Sequence, residues 1–289
     1  MEIYQAFHPL TATPYGNTTE YVEILPCTEL RPYIRCFWGS RCPRIHPASN
    51  VAEKTIVTPD TCVDIIFTVN YTDNKIESRF CGIDDETFVA MSKFNHTQKI
   101  STFAVRFYAW SAILFADESM KGTKNQCYDA GIYFHTFKRK MEEFLFEQPN
   151  MEQRCFAAEK YLMEGLQLKR QNTLFMRGIG KIVEEHGNVK ALGLATDLHI
   201  SSRQMERVFL EHMGVPPKKA IDLIRYQCLW QEICSNPHFH ILDAVCKYGY
   251  VDQSHVLNDF RKKHSMSIKE AIIYAKNVEY LQEKSATIV

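Results

Sequence analysis

The sequence predicts an α+β protein of two domains. A β-barrel-like domain with flanking helices, residues 1–166, precedes an all-α domain, residues 173–289. Up to about residue 110, short segments rich in β-branched and aromatic residues recur at roughly ten-residue spacing, which is typical of a sandwich or barrel. From residue 173 onward the apolar residues recur at helical spacing instead, and a pattern of two helices around a tight turn occurs twice. A length of 289 residues is enough for two domains that each bury a core.

The strands and helices of the first domain are predicted from its turn-forming residues, because Pro, Gly, Asn and Asp separate the apolar segments. The predicted strands are residues 20–25, 34–40, 54–58, 63–69, 78–82, 88–91 and 102–107. Helices are predicted at 111–115, 136–146 and 151–168, the last capped by Asn150. The polar segment 167–172 is the predicted interdomain linker.

The first helix-turn-helix unit is predicted within residues 189–213. The apolar side of its first helix is formed by Ala191, Leu192, Leu194, Ala195 and Leu198. Ser201 or Ser202 caps the second helix, which ends at Gly214. Its predicted core residues are Met205, Val208, Phe209 and Met213, and its outward residues are Ser202, Arg203, Gln204, Glu206 and Arg207. Since such a second helix enters the major groove, where Arg pairs with guanine and Gln with adenine, Ser202, Arg203, Gln204 and Arg207 are predicted to contact DNA. Glu206 could accept a hydrogen bond from cytosine or repel a phosphate.

A second unit of the same kind is predicted within residues 239–264, with its turn at Tyr248-Gly249-Tyr250 and Asp252 as the cap. Its predicted inward residues are Ile241, Ala244, Val245, Val256, Leu257 and Phe260. Its outward residues are Gln253, Ser254, His255, Asn258, Arg261, Lys262 and Lys263. The early polar residues suit base edges, and the late basic residues suit phosphates.

The segment between the units, residues 216–235, is predicted to be a helix with Trp230 in the core. Such a helix spans about 30 Å. That is close to the ~34 Å between successive major-groove faces on one side of a duplex. One chain could therefore place two recognition helices one helical turn apart.

With its two units and their connecting helix placed in this way, the second domain resembles the AraC/XylS family of bacterial transcription regulators. The matching residues are Leu194-Ala195, Ile200-Ser201, Met205, Arg207, Phe209, Gly214-Val215-Pro216, Arg225, Ile241, Gly249-Tyr250, Asp252-Gln253-Ser254-His255, Phe260 and Lys262. The chain departs from the family at Ala244-Val245, Val256, Ser265 and Ile268, where the family has Ile-Ala, Phe, Gly and Pro. These departures suggest that the first unit carries much of the specificity, and that the second acts more through phosphates.

The resemblance implies a set of contacts and partners. Base contacts would come from Arg203, Gln204, Arg207, Gln253, His255 and Asn258, aided by Ser202 and Ser254, and phosphate contacts from Arg261 and Lys262. Double-stranded DNA is the implied partner, and RNA polymerase, a small organic effector and a second copy of the chain are further expected partners. A sensor or protein-interaction module whose helical domain has lost tight DNA binding is the alternative that the departures leave open.

The first domain also resembles part of that family. Residues 58–67, with Pro59-Asp60 before an apolar strand, and the strand Val105-Arg106-Phe107 are similar to segments of one AraC-type subgroup, in which small cupin-like β-barrels hold an effector. Asp64, Arg106 and Trp38 are therefore the predicted effector-binding residues. An ordinary aromatic core is the other interpretation of the same strands.

Composition excludes several classes of protein. The net charge is 0, with 15 Lys and Arg against 13 Asp and Glu in residues 173–289, and 19 against 21 in the remainder. No apolar run is long enough for a membrane span and no secretory signal precedes the first domain, so a cytoplasmic protein is expected. The ten cysteines lack metal or disulfide spacing and are predicted to be reduced core residues. Without a hydrolase or nucleotide-binding motif, no enzymatic activity, cofactor or metal is predicted.

Overall fold

The computed structural model describes residues 2–14, 21–48, 53–92, 94 and 96–276, and has a sheet-based first domain and a helical second domain. Its strands are β1 (Tyr21–Ile24), β2 (Ile34–Ser40), β3 (Arg44–His46), β4 (Glu53–Val57), β5 (Cys62–Asn70), β6 (Lys75–Cys81), β7 (Phe88–Ser92), β8 (Gln98–Tyr108) and β9 (Cys127–Asp129). All seven predicted strands are present, six of them with shifted ends and one, 34–40, with the predicted ends. Residue 20, the first residue of the first predicted strand, lies outside the described residues. The same holds for residues 1 and 289, which begin the first predicted domain and end the second. The sequence missed β3 and β9 because three residues are too few to show alternation.

The strands form one seven-stranded antiparallel sheet and one two-stranded sheet. The larger sheet has the order β1-β2-β8-β5-β6-β9, with β3 paired to the other end of β8, and the smaller sheet pairs β4 with β7. Within the part of the chain that the model describes, β1 and β9 each have one neighbour, so the sheet stays open. The two-domain α+β class is confirmed, whereas the closed barrel and its cupin-like form are not.

Alternation along β5 explains which face of the sheet is buried. Ile65, Phe67 and Val69 are fully buried, whereas the residues between them are partly exposed. Phe67 makes an edge-to-face contact with Phe137 of the helix covering this face, with ring centroids 6.1 Å apart. The aromatic side chains on this face therefore pack as a core.

Among the described residues of the first domain, four α-helices are present: α1 (Ile3–Ala6), α2 (Ala130–Tyr133), α3 (His135–Leu145) and α4 (Met151–Gly165). Asn150 caps α4 as predicted, accepting hydrogen bonds from the N–H groups of Glu152 and Gln153. The predicted helices at 111–115 and beyond Gly165 are short 3-10 turns, Ala112–Leu114 and Leu168–Arg170.

The second domain contains α5 (Thr173–Glu184), α6 (Ala191–Asp197), α7 (Ser202–Met213), α8 (Pro217–Ser235), α9 (Ile241–Lys247) and α10 (Gln253–His264), and residues 268–276 are also helical. Helix α8 begins with Pro217 in its first turn, where a missing N–H costs nothing, as the sequence predicted.

The two domains share buried surface. One cluster of buried apolar side chains extends from Phe7 in the first domain to Ile224 on α8, and a separate cluster fills the second helix-turn-helix unit. The segment 167–172 is not a free linker, because the Gln167 N–H donates to the carbonyl of Leu114 at 2.8 Å. The domain limits drawn from the sequence stay a prediction.

A disulfide joins Cys81 to Cys127 across the β6–β9 pair, with their Cα atoms 4.2 Å apart. The prediction that the cysteines are reduced core residues is therefore wrong for this pair, and Cys42 and Cys246 are exposed. The pairing was invisible in the sequence because β9 itself was not predicted.

Candidate nucleic-acid interface

The first helix-turn-helix unit is built from α6 and α7. His199 has a left-handed backbone, with φ of 56°, and the N–H of Ile200 donates to the carbonyl of Ala195 at 3.1 Å. Ser201 then caps α7, because its hydroxyl accepts the N–H of Gln204 at 3.2 Å. These bonds fix the angle between the two helices, and Ala195, 2% exposed, lets them approach closely.

Helix α7 has one buried and one exposed face, as the sequence predicted. The buried residues are Met205, Val208, Phe209, His212 and Met213. The exposed residues are Ser202, Arg203, Gln204, Glu206 and Arg207. In the preceding helix Leu192, predicted to be inward, is instead 72% exposed, because α6 buries only Leu194 and Ala195.

The second unit repeats this construction with α9 and α10. Gly249 adopts φ of 66° in the turn, and the N–H of Tyr250 donates to the carbonyl of Val245 at 3.0 Å. The carboxylate of Asp252 caps α10 by accepting the N–H of His255 at 2.7 Å. Both units thus have a side-chain cap at the start of the second helix.

The exposed face of α10 carries most of the predicted polar residues. These are Gln253, Ser254, His255, Asn258, Arg261 and Lys262. The ring of His255 is held edge-on against Tyr250, with centroids 5.1 Å apart. The predicted inward and outward residues of α10 lie on the expected faces except at two positions, Leu257 and Lys263.

Lys263 and Leu257 lie on the opposite faces to those predicted. Lys263 is buried and forms an ion pair with Asp259, and burial lowers its pKa. Leu257 is 41% exposed. The reason is the helical period: Lys263 follows Val256 by seven positions and so shares its face, whereas Leu257 lies outside that stripe. Lys263 is therefore not available for a phosphate.

The ends of α7 and α10 have the same backbone conformation despite different residues. Gly214 ends α7 with φ of 79°, and Ser265 ends α10 with φ of 58°. A non-glycine residue in this region is uncommon. The departure from the family at Ser265 thus leaves the left-handed helix end unchanged.

Helix α8 connects the two units. Its 19 residues rise about 28 Å. Arg225, near its middle, bonds to Asp222 at 2.5 Å and lies over the ring of Tyr250 at 5.1 Å. Gly187, with φ of 75°, brings the turn after α5 against the backbone of Arg225, where an added Cβ would lie 2.7 Å from the backbone nitrogen. The middle of α8 is thereby fixed against the turn after α5 and against the second unit.

A groove of about 470 Å³ runs along the exposed side of α7 and includes a residue of the first domain. It is lined by Lys121, Ser201, Arg203, Gln204, Glu206, Arg207 and Leu210. Lys121 could not be assigned to this groove from the sequence, because it lies about eighty positions from α7 and shows no local pattern.

The three predicted effector residues form a closed group. Arg106 donates from Nε to Asp64 Oδ1 at 3.0 Å and from Nη2 to Oδ2 at 3.1 Å, and the indole N–H of Trp38 donates to the same Oδ1 at 2.7 Å. The cavity beside Arg106 holds about 30 Å³. Their role in effector binding stays a prediction, and this geometry does not favour it, because organic ligands need roughly 300 Å³ or more.

Electrostatics supports a structural role for this group. Burial disfavours the charged form of Arg106, but the carboxylates of Asp64 and Asp60 outweigh it and raise its pKa well above the ordinary value. Burial raises the pKa of Asp60, which lies 3.9 Å from the guanidinium. The group is therefore a buried ion pair that Trp38 completes.

Two other kinds of feature are absent from the described residues. Among the described residues, no helix is long and apolar enough to cross a membrane. Within those same residues, no group of three or more His, Cys, Asp or Glu side chains is placed to hold a metal ion.

Two family models match the chain. Residues 22–129 match a domain of unknown function, DUF6597, and residues 194–272 match a helix-turn-helix domain. The second match includes both α7 and α10. The C-terminal domain is thus a helix-turn-helix domain, the class to which its geometry points. Its type is that of the AraC/XylS regulators, which confirms the resemblance found in the sequence.

Comparison with solved structures finds ToxT from Vibrio cholerae. One structure has 12% sequence identity and a TM-score of 0.41, covering 82% of this chain and 98% of that chain. Another, of ToxT from Vibrio cholerae O395, has 12% identity and a TM-score of 0.40, covering 83% and 98%. These values are too low for the likeness to carry an argument. No curated protein matches the chain.

Proposed function

We propose that this protein is a sequence-specific DNA-binding transcription regulator that reads its operator with α7 and α10. The observation that carries the proposal is the pair of capped helices, each exposing polar and basic side chains on one face and burying the other. On this proposal Arg203, Gln204 and Arg207 read bases. RNA polymerase and a second copy of the chain remain predicted partners.

Salt dependence tests the proposal directly. A protein that neutralises several phosphates loses affinity steeply as salt increases, and a regulator also prefers its operator over other sequences. Gel-shift titrations of the full chain, on duplexes selected by it from a random pool and on unselected duplexes, measure both properties at 50 and 200 mM salt. No complex at low salt would favour the alternative, an interaction module with a degenerate helical domain.

Arg207→Ala is expected to weaken specific binding by about 1–3 kcal/mol, because a paired contact to one base would be lost. Arg139→Ala is the control: it removes the same charge from an exposed position on α3, in the first domain. Fluorescence anisotropy with the selected duplex compares the two variants. Equal affinities for both would remove Arg207 from the set of base-reading residues.

The proposed regulator responds to a small organic effector, and a cavity between the domains is the candidate site for it. A cavity of about 440 Å³ lies between α1, the segment around Trp110, and α5. Its mostly apolar wall includes Tyr33, Trp110, Leu114, Met176 and Gly180, and its charged lining residues are Arg177 and Glu2. This size suits a drug-sized ligand, and α5 belongs to the DNA-binding domain.

Gly180→Leu is expected to fill this cavity, because a Cβ added at Gly180 meets nothing closer than 3.9 Å. The probe is 8-anilinonaphthalene-1-sulfonate, an apolar anion that fluoresces when it leaves water. We expect the variant to lose most of the fluorescence gain of the wild type. Gly165→Leu, at an exposed glycine with nothing within 4 Å, is the control. An undiminished signal in Gly180→Leu would exclude this cavity.

A further inference from the structure

A loop of the first domain, residues 117–126, lies directly against the first recognition helix. The backbone N–H of Met120 donates to the carbonyl oxygen of Glu211, on α7, at 2.9 Å. At the end of that helix, a Cβ added to Gly214 would lie 2.8 Å from the Met120 oxygen and 2.5 Å from Thr123 Oγ1. The loop therefore contacts the backbone at the C-terminal end of α7 directly.

The loop is also fixed to its own domain. Thr123 Oγ1 donates to the Met120 carbonyl at 2.7 Å, and the N–H of Asn125 donates to the carbonyl of Ile83 at 2.8 Å. Arg170 donates to the carbonyls of Ala116 and Glu118. Since both sides of the loop are anchored, the side chains that it presents to α7 keep a defined position.

Two lysines of this loop differ in their surroundings. Lys124 lies 3.3 Å from the carboxylate of Asp85, which also bonds to Lys219 at 2.7 Å. Burial opposes ionisation of Asp85, but hydrogen bonds from Lys219 and Asn125 outweigh it and lower its pKa to about 2. Lys121 is exposed and forms no hydrogen bond or ion pair with the residues that the model describes.

Lys121 instead lines the groove along α7 with Arg203 and Arg207. The groove contains one carboxylate, that of Glu206, against these three cations. Three cations beside one carboxylate leave a net positive charge in the groove, and an anion bound there would relieve the repulsion between the cations. The charge of the groove thus suits a polyanion.

We infer that the first domain supplies Lys121 as a phosphate contact beside the first recognition helix. The inference rests on the proposed function, because it extends the DNA interface of α7 to the other domain. While α7 lies in the major groove, a cation at its side lies near the sugar-phosphate backbone that borders the groove. Lys121 then adds affinity without reading sequence.

The test is the salt dependence of binding by the full chain. Lys121→Gln is compared with the wild type on a duplex that the wild type selects from a random pool, by fluorescence anisotropy between 50 and 200 mM KCl. The slope of log K against log salt is negative, and loss of one phosphate contact reduces its magnitude by about 0.9. The loss also weakens binding roughly equally on all sequences. Lys121→Arg should keep the wild-type slope.

Lys75→Gln is the matched control, since Lys75 is exposed at the far end of β6 from the disulfide. It is expected to keep the wild-type slope. An unchanged slope in Lys121→Gln overturns the inference, and so does tighter binding, which would mean that Lys121 obstructs α7. If the wild type itself forms no specific complex, the proposed function fails, and the role of Lys121 fails with it.

Discussion

Trp230→Ala is expected to lower the free energy of unfolding by about 3–5 kcal/mol, the usual cost of removing a large buried ring. Trp230 is fully buried on α8, and its ring lies edge-on to His264 at 4.6 Å and near Phe260 at 5.8 Å. Its indole N–H also donates to the carbonyl of Thr11 at 3.0 Å, so the variant leaves both a cavity and an unpaired carbonyl. Urea unfolding followed by far-ultraviolet circular dichroism measures the change.

Trp230→Phe separates the two parts of this effect. It keeps most of the ring and loses the hydrogen bond to Thr11, which should cost about 0.5–1.5 kcal/mol. A loss below about 1 kcal/mol in Trp230→Ala would contradict the expectation, because it would mean that the second unit closes around the missing ring.

Acid is expected to destabilise the protein between pH 6.5 and 4 through His264. Burial lowers the pKa of this ring from 6.5 to about 4, and the ring is stacked on Phe260 with centroids 4.8 Å apart. It is therefore neutral in the folded protein over this range, whereas the unfolded chain takes up a proton there. Because the unfolded state binds more protons, stability falls as the pH decreases from 6.5 to 4, by on the order of 3 kcal/mol.

His264→Gln removes the titrating ring and should flatten this part of the pH dependence, although it also loses contact with the Tyr226 hydroxyl, 2.8 Å away. The same change at the exposed His238 is the control. Unfolding midpoints at several pH values give the comparison. If His264→Gln and the wild type lose stability in parallel from pH 6.5 to 4, another group causes the acid effect.

The recognition helices could be predicted because their information is local. A cap at Ser201 or Asp252, followed by apolar residues at helical spacing, determines which face of each helix is buried. The strands of the first domain were predictable for the same reason, since alternation in β5 is visible within nine residues. Their assembly into an open sheet depends on pairings that no single segment shows.

The failures involve contacts between distant residues. Cys81 forms a disulfide with Cys127, which lies on a strand of three residues. The carboxylate of Asp64 accepts hydrogen bonds from Trp38 and Arg106, which lie on two other strands. Lys121 reaches α7 only because its loop docks there. Such contacts leave no periodic pattern in the chain, so sequence reasoning could name several of these residues and could not state what they touch.

The shared core of the first unit has a consequence for folding cooperativity. Because Phe209 belongs to the same buried cluster as the aromatic residues of the sheet, we expect the first unit and the first domain to unfold together. The second unit has its own cluster and is joined mainly through α8 and a few hydrogen bonds, such as that from Trp230 to Thr11. It can therefore open in a subglobal transition that leaves α7 in place, and the two recognition helices would then differ in rigidity as well as in sequence.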